Sequence, residues 1–301
     1  MTALSQRALG LGTENAFVVL AEVNKLIREG RDIISFCIGQ PDFPTPPAIQ
    51  QAGIDAIKQG KHGYTPSAGI PELRQAAAAY LSRTRGIEVH ADDVVVGAGA
   101  KPFIGYTIQS VTDFGAGDEV IYPVPGFPIY ESQIKANGAV GVPIYLREDR
   151  DFSFDPDELA RKITSRTKLL ILNSPQNPTG GILTRADLQA IADILRQHPQ
   201  VWVFADEIYG QLVYDGEFQS IAALPGMQER TVLSDGCSKT WAMTGWRLGF
   251  CANKTLAPYF TNWITNTESC ASHITQWAGV QALNGDRKST RLNSSHITIS
   301  Y

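Results

Sequence analysis

The chain has little cysteine and no cysteine pattern: four in 301 residues, Cys37, Cys237, Cys251 and Cys270, with no CxxC pair. That spacing excludes a disulfide scaffold and a thiolate zinc site. It reads as reduced, buried small hydrophobes in a cytoplasmic protein. The five histidines show no HxxxH or HExxH spacing, so no metal is expected. A basic excess is missing as well. Lys and Arg total 26 against 30 Asp and Glu, a net charge of −4, which offers nothing to neutralise a phosphate backbone, so nucleic acid is not an expected partner. No apolar run reaches the roughly 18 residues of a membrane helix. Residues 1–12 carry no signal-peptide core, so neither a membrane nor export is expected.

What is present is an α/β pattern. Short runs rich in Val, Ile and Leu, at 93–96, 119–122, 168–172 and 201–205, read as buried strands bounded by Gly, Pro or Asn. Helix-length segments lie between or beside them, at 71–85, 101–112, 127–137 and 185–197. Pro71 marks one helix start, and Asp155-Pro-Asp-Glu158 is a capped, acid-biased opening of another. The alternation predicts a mostly parallel central sheet flanked by helices, with ligands beyond the carboxyl ends of its strands. Residues 1–45 differ: an amphipathic helix at 14–28 and an extended run at 33–39 lead into the Pro-rich connector 40–47. They read as an arm and a partial small domain ahead of a large domain at 46–285. Residues 286–301 show no periodicity and read as a non-native tail.

Five segments that follow strands carry candidate chemistry. Ser238-Lys239-Thr240 supplies an amine, and Arg247 is a cation placed to lower its pKa or to clamp a phosphate. Asp206-Glu-Ile-Tyr209 places a carboxylate at the edge of an apolar strand, where it needs a cationic partner, with a phenol three residues on. Asn177-Pro-Thr-Gly180 adds an amide donor in a fixed loop. Gly97-Ala-Gly99-Ala100-Lys101-Pro102 fails the GxGxxG dinucleotide pattern because proline stands where the last glycine is required. It reads instead as a cup for one phosphate at Gly99, Ala100 and Lys101, at a helix start. Phe127 offers a face for a flat ring. Taken singly, each segment also reads as surface, turn or core. Together they form the inventory of a pyridoxal phosphate site.

At these residues the chain resembles the class I/II aminotransferases of the aspartate aminotransferase fold (fold-type I). The likeness rests on Gly39-Gln-Pro-Asp-Phe-Pro-Thr-Pro, Tyr64-Thr-Pro, Gly99-Ala-Lys, Asn177-Pro-Thr-Gly, Asp206-Glu-Ile-Tyr209 and Ser238-Lys-Thr through Gly-Trp-Arg247, in the family's order. The resemblance implies that Lys239 forms the Schiff base with pyridoxal 5′-phosphate and then shuttles the proton. It implies that Asp206 pairs with the ring nitrogen, and that Asn177 and Tyr209 bond the ring oxygen. Ala100, Lys101 and Arg247 would hold the phosphate, Phe127 would stack on the ring, Tyr64 would reach a neighbouring subunit's phosphate, and Gly39 would touch the substrate carboxylate. The implied activity is amino transfer from an amino acid to a 2-oxo acid by a cytoplasmic homodimer, with donor and acceptor left open.

Two departures stand out. Gly236-Cys237-Ser238 lacks the earlier phosphate-binding serine of some relatives, which leaves Ser238 as the serine that the resemblance offers for cofactor binding. The family's C-terminal domain, with its carboxylate-binding arginine, has no match, and Arg287 and Arg291 fall in the tail. The expectation is a C-terminally truncated fragment, a poor catalyst as written. A fold-type I lyase or synthase, or a non-catalytic regulatory domain binding the same cofactor, are the alternatives.

Overall fold

A computed structural model describes residues 4–12 and 15–285. The tail at 286–301, with Arg287 and Arg291, lies outside the described residues. Seven strands form one sheet: β1 (Val94–Gly97), β2 (Glu119–Val124), β3 (Val140–Tyr145), β4 (Thr167–Asn173), β5 (Trp202–Asp206), β6 (Thr231–Gly236) and β7 (Gly249–Ala252). Their order is β1-β7-β6-β5-β4-β2-β3. β7 runs antiparallel to β1 and β6, and every other pairing is parallel.

Period-two alternation explains why the central strands are apolar throughout. In β4, Leu170 and Leu172 enter the core on one face of the sheet, while Leu169 and Ile171 enter the core on the other. The helices are α1 (Gln6–Leu9), α2 (Ala16–Arg28), α3 (Pro47–Lys58), α4 (Pro71–Arg85), α5 (Pro102–Val111), α6 (Ile129–Ala136), α7 (Pro156–Lys162), α8 (Arg185–Arg196), α9 (Cys237–Thr240), α10 (Ala257–Thr267) and α11 (His273–Asn284). Residues of α4, α8 and α11 fill the first core, and those of α5, α6 and α10 the second. Among the described residues no helix is long and apolar enough to cross a membrane.

The expected capping appears where the sequence placed it. Pro71 opens α4, and Asp155 accepts a hydrogen bond from the Asp157 amide at the start of α7. Three differences have physical causes. β3 contains Gly141 and Pro143, which hide a strand from pattern reading, and an edge strand tolerates such a proline. β7 is four residues of Gly, Phe, Cys and Ala, too short for a strand signal. The run 33–39 forms no strand, because nothing pairs with it. Of the cysteines, Cys237 and Cys251 are buried and free, but Cys37 and Cys270 are only half-buried.

Candidate active site

The parallel strands β4, β5 and β6 deliver their carboxyl ends to one edge of the sheet. Asn173 at the end of β4 is in register with Asp206 at the end of β5, and Asp206 with Ser234 in β6. Asp206 is buried, and one carboxylate oxygen accepts a hydrogen bond from the Tyr130 hydroxyl at 2.7 Å. Burial pushes its carboxyl up to about 6, and the Asp235 charge adds to this, while the Tyr130 hydrogen bond and Lys239 oppose it. The Tyr130 phenol is itself raised by burial and the Asp206 charge, so it stays a donor. A buried carboxylate at the end of a strand is suited to pair with a cationic group of a ligand.

Asn177 is held by its own backbone, whose amide donates to the Asn173 side chain at 2.8 Å. Its side-chain amide reaches the Tyr209 hydroxyl at 3.4 Å, so the two candidate donors to a ring oxygen stand side by side. β6 runs directly into α9, which carries buried Ser238 and half-buried Lys239. The Lys239 ammonium donates to the Gly39 carbonyl at 2.5 Å and lies 5.7 Å from the centre of the Tyr209 ring. The connector reaches this point because Thr45 is pinned: its hydroxyl donates to the Ala242 carbonyl and accepts from the Trp246 indole.

The candidate phosphate cup follows β1. Gly99 takes a φ of +98°, and its amide closes onto the Gly97 carbonyl at 2.7 Å, so its conformation shapes the turn that presents Ala100 and Lys101. Arg247 donates to the carbonyls of Thr244 and Ala98, and a Cβ on Gly99 would stand 2.4 Å from its guanidinium. Gly249 is equally constrained, since a Cβ there would come within 2.2 Å of the Ala100 amide nitrogen. Phe127 is half-buried, edge-on to Tyr130 at 5.7 Å, with the Lys101 ammonium 5.1 Å from its ring centre. Tyr64 is 89% exposed, on a loop tied to α11 by the hydrogen bond that the Gln276 side-chain amide donates to the Thr65 hydroxyl.

Three neighbours escape sequence reasoning. Tyr130 lies in the first turn of α6, three residues after Phe127, and its role shows only in the hydrogen bond that its phenol donates to Asp206. Glu268 accepts from the Ala98 amide at 3.1 Å and from the Tyr106 hydroxyl at 2.8 Å, so a carboxylate braces the cup from α10's end. Arg85 pairs with Glu207 and Asp235 beneath the site. The Glu268 and Arg85 contacts join distant segments and leave no local pattern.

These side chains fit pyridoxal phosphate. An amine, a buried carboxylate suited to a cation, paired amide and phenol groups, and a tight turn against an arginine meet at one sheet edge. The comparisons agree. The profile described as aminotransferase class I and II matches residues 31–299. A probable aspartate/prephenate aminotransferase of Rhizobium leguminosarum bv. phaseoli is 37% identical over 271 residues, covering 89% of this chain and 67% of the relative. An aspartate aminotransferase of Bacillus sp. (strain YM-2) is 35% identical, covering 95% and 73%. The solved aspartate aminotransferase from Thermus thermophilus with maleate superposes at a TM-score of 0.93 with 33% identity, covering 98% of this chain and 76% of that one. These relatives favour neither the lyase nor the regulatory alternative. With its fold, its site chemistry and its sequence all in agreement, the chain belongs to the class I and II aminotransferases and is a pyridoxal phosphate-dependent enzyme.

Proposed function

We propose that this aminotransferase takes its amino group from aspartate, passes it to a 2-oxo acid, and works as a cytoplasmic homodimer. The donor is inferred from the relatives: they are named for aspartate, and the solved Thermus thermophilus structure is described with maleate, a dicarboxylate. Residues 46–285 are assigned as the cofactor-binding domain, and 1–45 as an arm and part of a small domain. When bound, pyridoxal phosphate supplies an aldehyde for the amino group and a ring that accepts an electron pair.

The geometry of the site supports the following roles for the protein's residues. Lys239 would anchor the cofactor through its amine, and the same amine would serve as the base that moves the proton of the substrate α-carbon. Asp206 holds a proton on the ring nitrogen, and Tyr130 aims its carboxylate. Asn177 and Tyr209 donate to the ring oxygen and keep its charge in place. Ala100, Lys101, Ser238 and Arg247 bind the phosphate beside Gly99, with Tyr64 arriving from the neighbouring subunit. Phe127 packs on the ring and excludes water from one face, while Gly39 lines the substrate side near Lys239.

The observation that carries this assignment is Asp206: a carboxyl buried at a strand's end, with one oxygen fixed by Tyr130 and its proton affinity raised. The test of the donor is steady-state transamination with aspartate, alanine and phenylalanine against 2-oxoglutarate. Aspartate should lead in kcat/KM by at least about tenfold. Equal or better use of alanine would remove aspartate as the assigned donor.

A further inference from the structure

Beneath the reactive edge lies a charged cluster to which the reaction above gives no task. The Arg85 side chain at the end of α4 is fully buried. Its Nε donates to Glu207 Oε2 at 2.9 Å and its Nη2 to Asp235 Oδ2 at 2.6 Å, and Nη1 donates to the Thr84 hydroxyl. The remaining carboxylate oxygens are also bonded: Ser220 donates to Glu207, and the Gly236 amide to Asp235. The rings of Tyr80 and Phe218 lie 5.4 and 5.0 Å from the guanidinium carbon.

Stability gives no reason for such a cluster. Desolvating three charges consumes much of what their attraction returns, and apolar groups of similar volume commonly hold a core as well. Its location is informative instead. Glu207 is the residue after Asp206. Asp235 sits at the end of β6, one residue before the strand gives way to α9 and Lys239. A planar guanidinium bonding two carboxylates fixes both direction and distance.

We propose that Arg85 is a positioning residue for amino transfer: by gripping Glu207 and Asp235 together it sets the spacing between Asp206 and Lys239. The inference rests on the assignment of those two residues above. A lysine at position 85 keeps the charge but has no fork, so it cannot hold both carboxylates in one geometry. Glutamine at 85 leaves two buried carboxylates facing each other. Adding Asp235→Asn to that variant removes one of them and restores the wild-type net charge.

The test uses the holoenzyme and two readouts: the kcat and KM for amino transfer, and the visible circular dichroism of the bound cofactor, which reports its orientation. In Arg85→Lys and Arg85→Gln, kcat should fall about tenfold or more, KM should stay within about twofold, and the visible band should weaken. The Arg85→Gln/Asp235→Asn variant should recover most of both signals. A folded Arg85→Lys enzyme with unchanged kcat and dichroism, altered only in melting temperature, would overturn the proposal. So would a double variant no better than Arg85→Gln. Borohydride trapping separates the two levels: a label away from Lys239 defeats the site assignment, whereas a label on Lys239 with unchanged dichroism in Arg85→Lys defeats only this inference.

Discussion

Burial at the end of β5 raises the proton affinity of Asp206, and this has a measurable sign. Its folded carboxyl titrates near 6, above the ordinary value of 3.8. The folded cofactor-free protein therefore holds this proton more tightly than the unfolded chain. The resulting stability is complete below about pH 4 and is lost as pH rises through about 6. Asp206→Asn should then raise the melting temperature of cofactor-free protein at pH 7.5, by the equivalent of about 2–3 kcal/mol at most. The difference should close near pH 4, and identical melting curves at pH 7.5 would contradict it. At this scale the candidate site residues Lys239, Asp206, Asn177 and Phe127 were legible because each lies in a local motif at or after the end of an apolar strand. Tyr130, Glu268 and Arg85 were not. Arg85 in particular reads as an ordinary basic residue in the last turn of a helix, where a cation suits the dipole, and only the fold brings Glu207 and Asp235 to it.

The turn between β1 and α5 depends on what its neighbours lack. Gly97 and Gly236 both pair with Gly249, so three adjacent strands present no side chain where the turn packs. A methyl group on Gly249 would press on the Ala100 amide, which forms part of the proposed phosphate cup. Gly249→Ala should weaken cofactor binding about tenfold or more through backbone displacement. Cofactor titration followed by fluorescence measures this, and an unchanged dissociation constant would remove the cup from Ala100. The main elements were legible wherever period and caps agreed: the run 71–85 coincides with α4, and α8 starts one residue after Thr184, whose hydroxyl and Asp187 form a reciprocal cap. β3 and β7 were not, since Gly141, Pro143 and the brevity of Gly249–Ala252 mute the period-two signal. Their pairing is a tertiary property, set by β2 on one side and by β1 and β6 on the other.

As a whole the molecule places its chemistry at one sheet edge and leaves apolar surface elsewhere. Phe17, Val18, Val19, Ile34, Phe36 and Tyr64 are all exposed, and α2 has no buried residue. Exposed apolar side chains of this kind are what the contact of the proposed homodimer would cover. Sedimentation velocity should find two chains per particle at micromolar concentration, and a monomer that still retains cofactor and activity would contradict the role given to Tyr64. The α/β class was legible in the alternation of strands and helices and the family in the order of the motifs; the homodimer is implied by the resemblance alone, because an interface has no period. The central claim is that Lys239 is the anchor of pyridoxal phosphate, at the point where β6 meets α9 and the amine faces Tyr209. Borohydride reduction of the holoenzyme, followed by peptide mapping, tests it most directly. The account predicts loss of visible absorbance and a single cofactor-bearing peptide containing Lys239, absent in Lys239→Ala. A label on Lys101 or Lys168, or an unaltered label in Lys239→Ala, would contradict it.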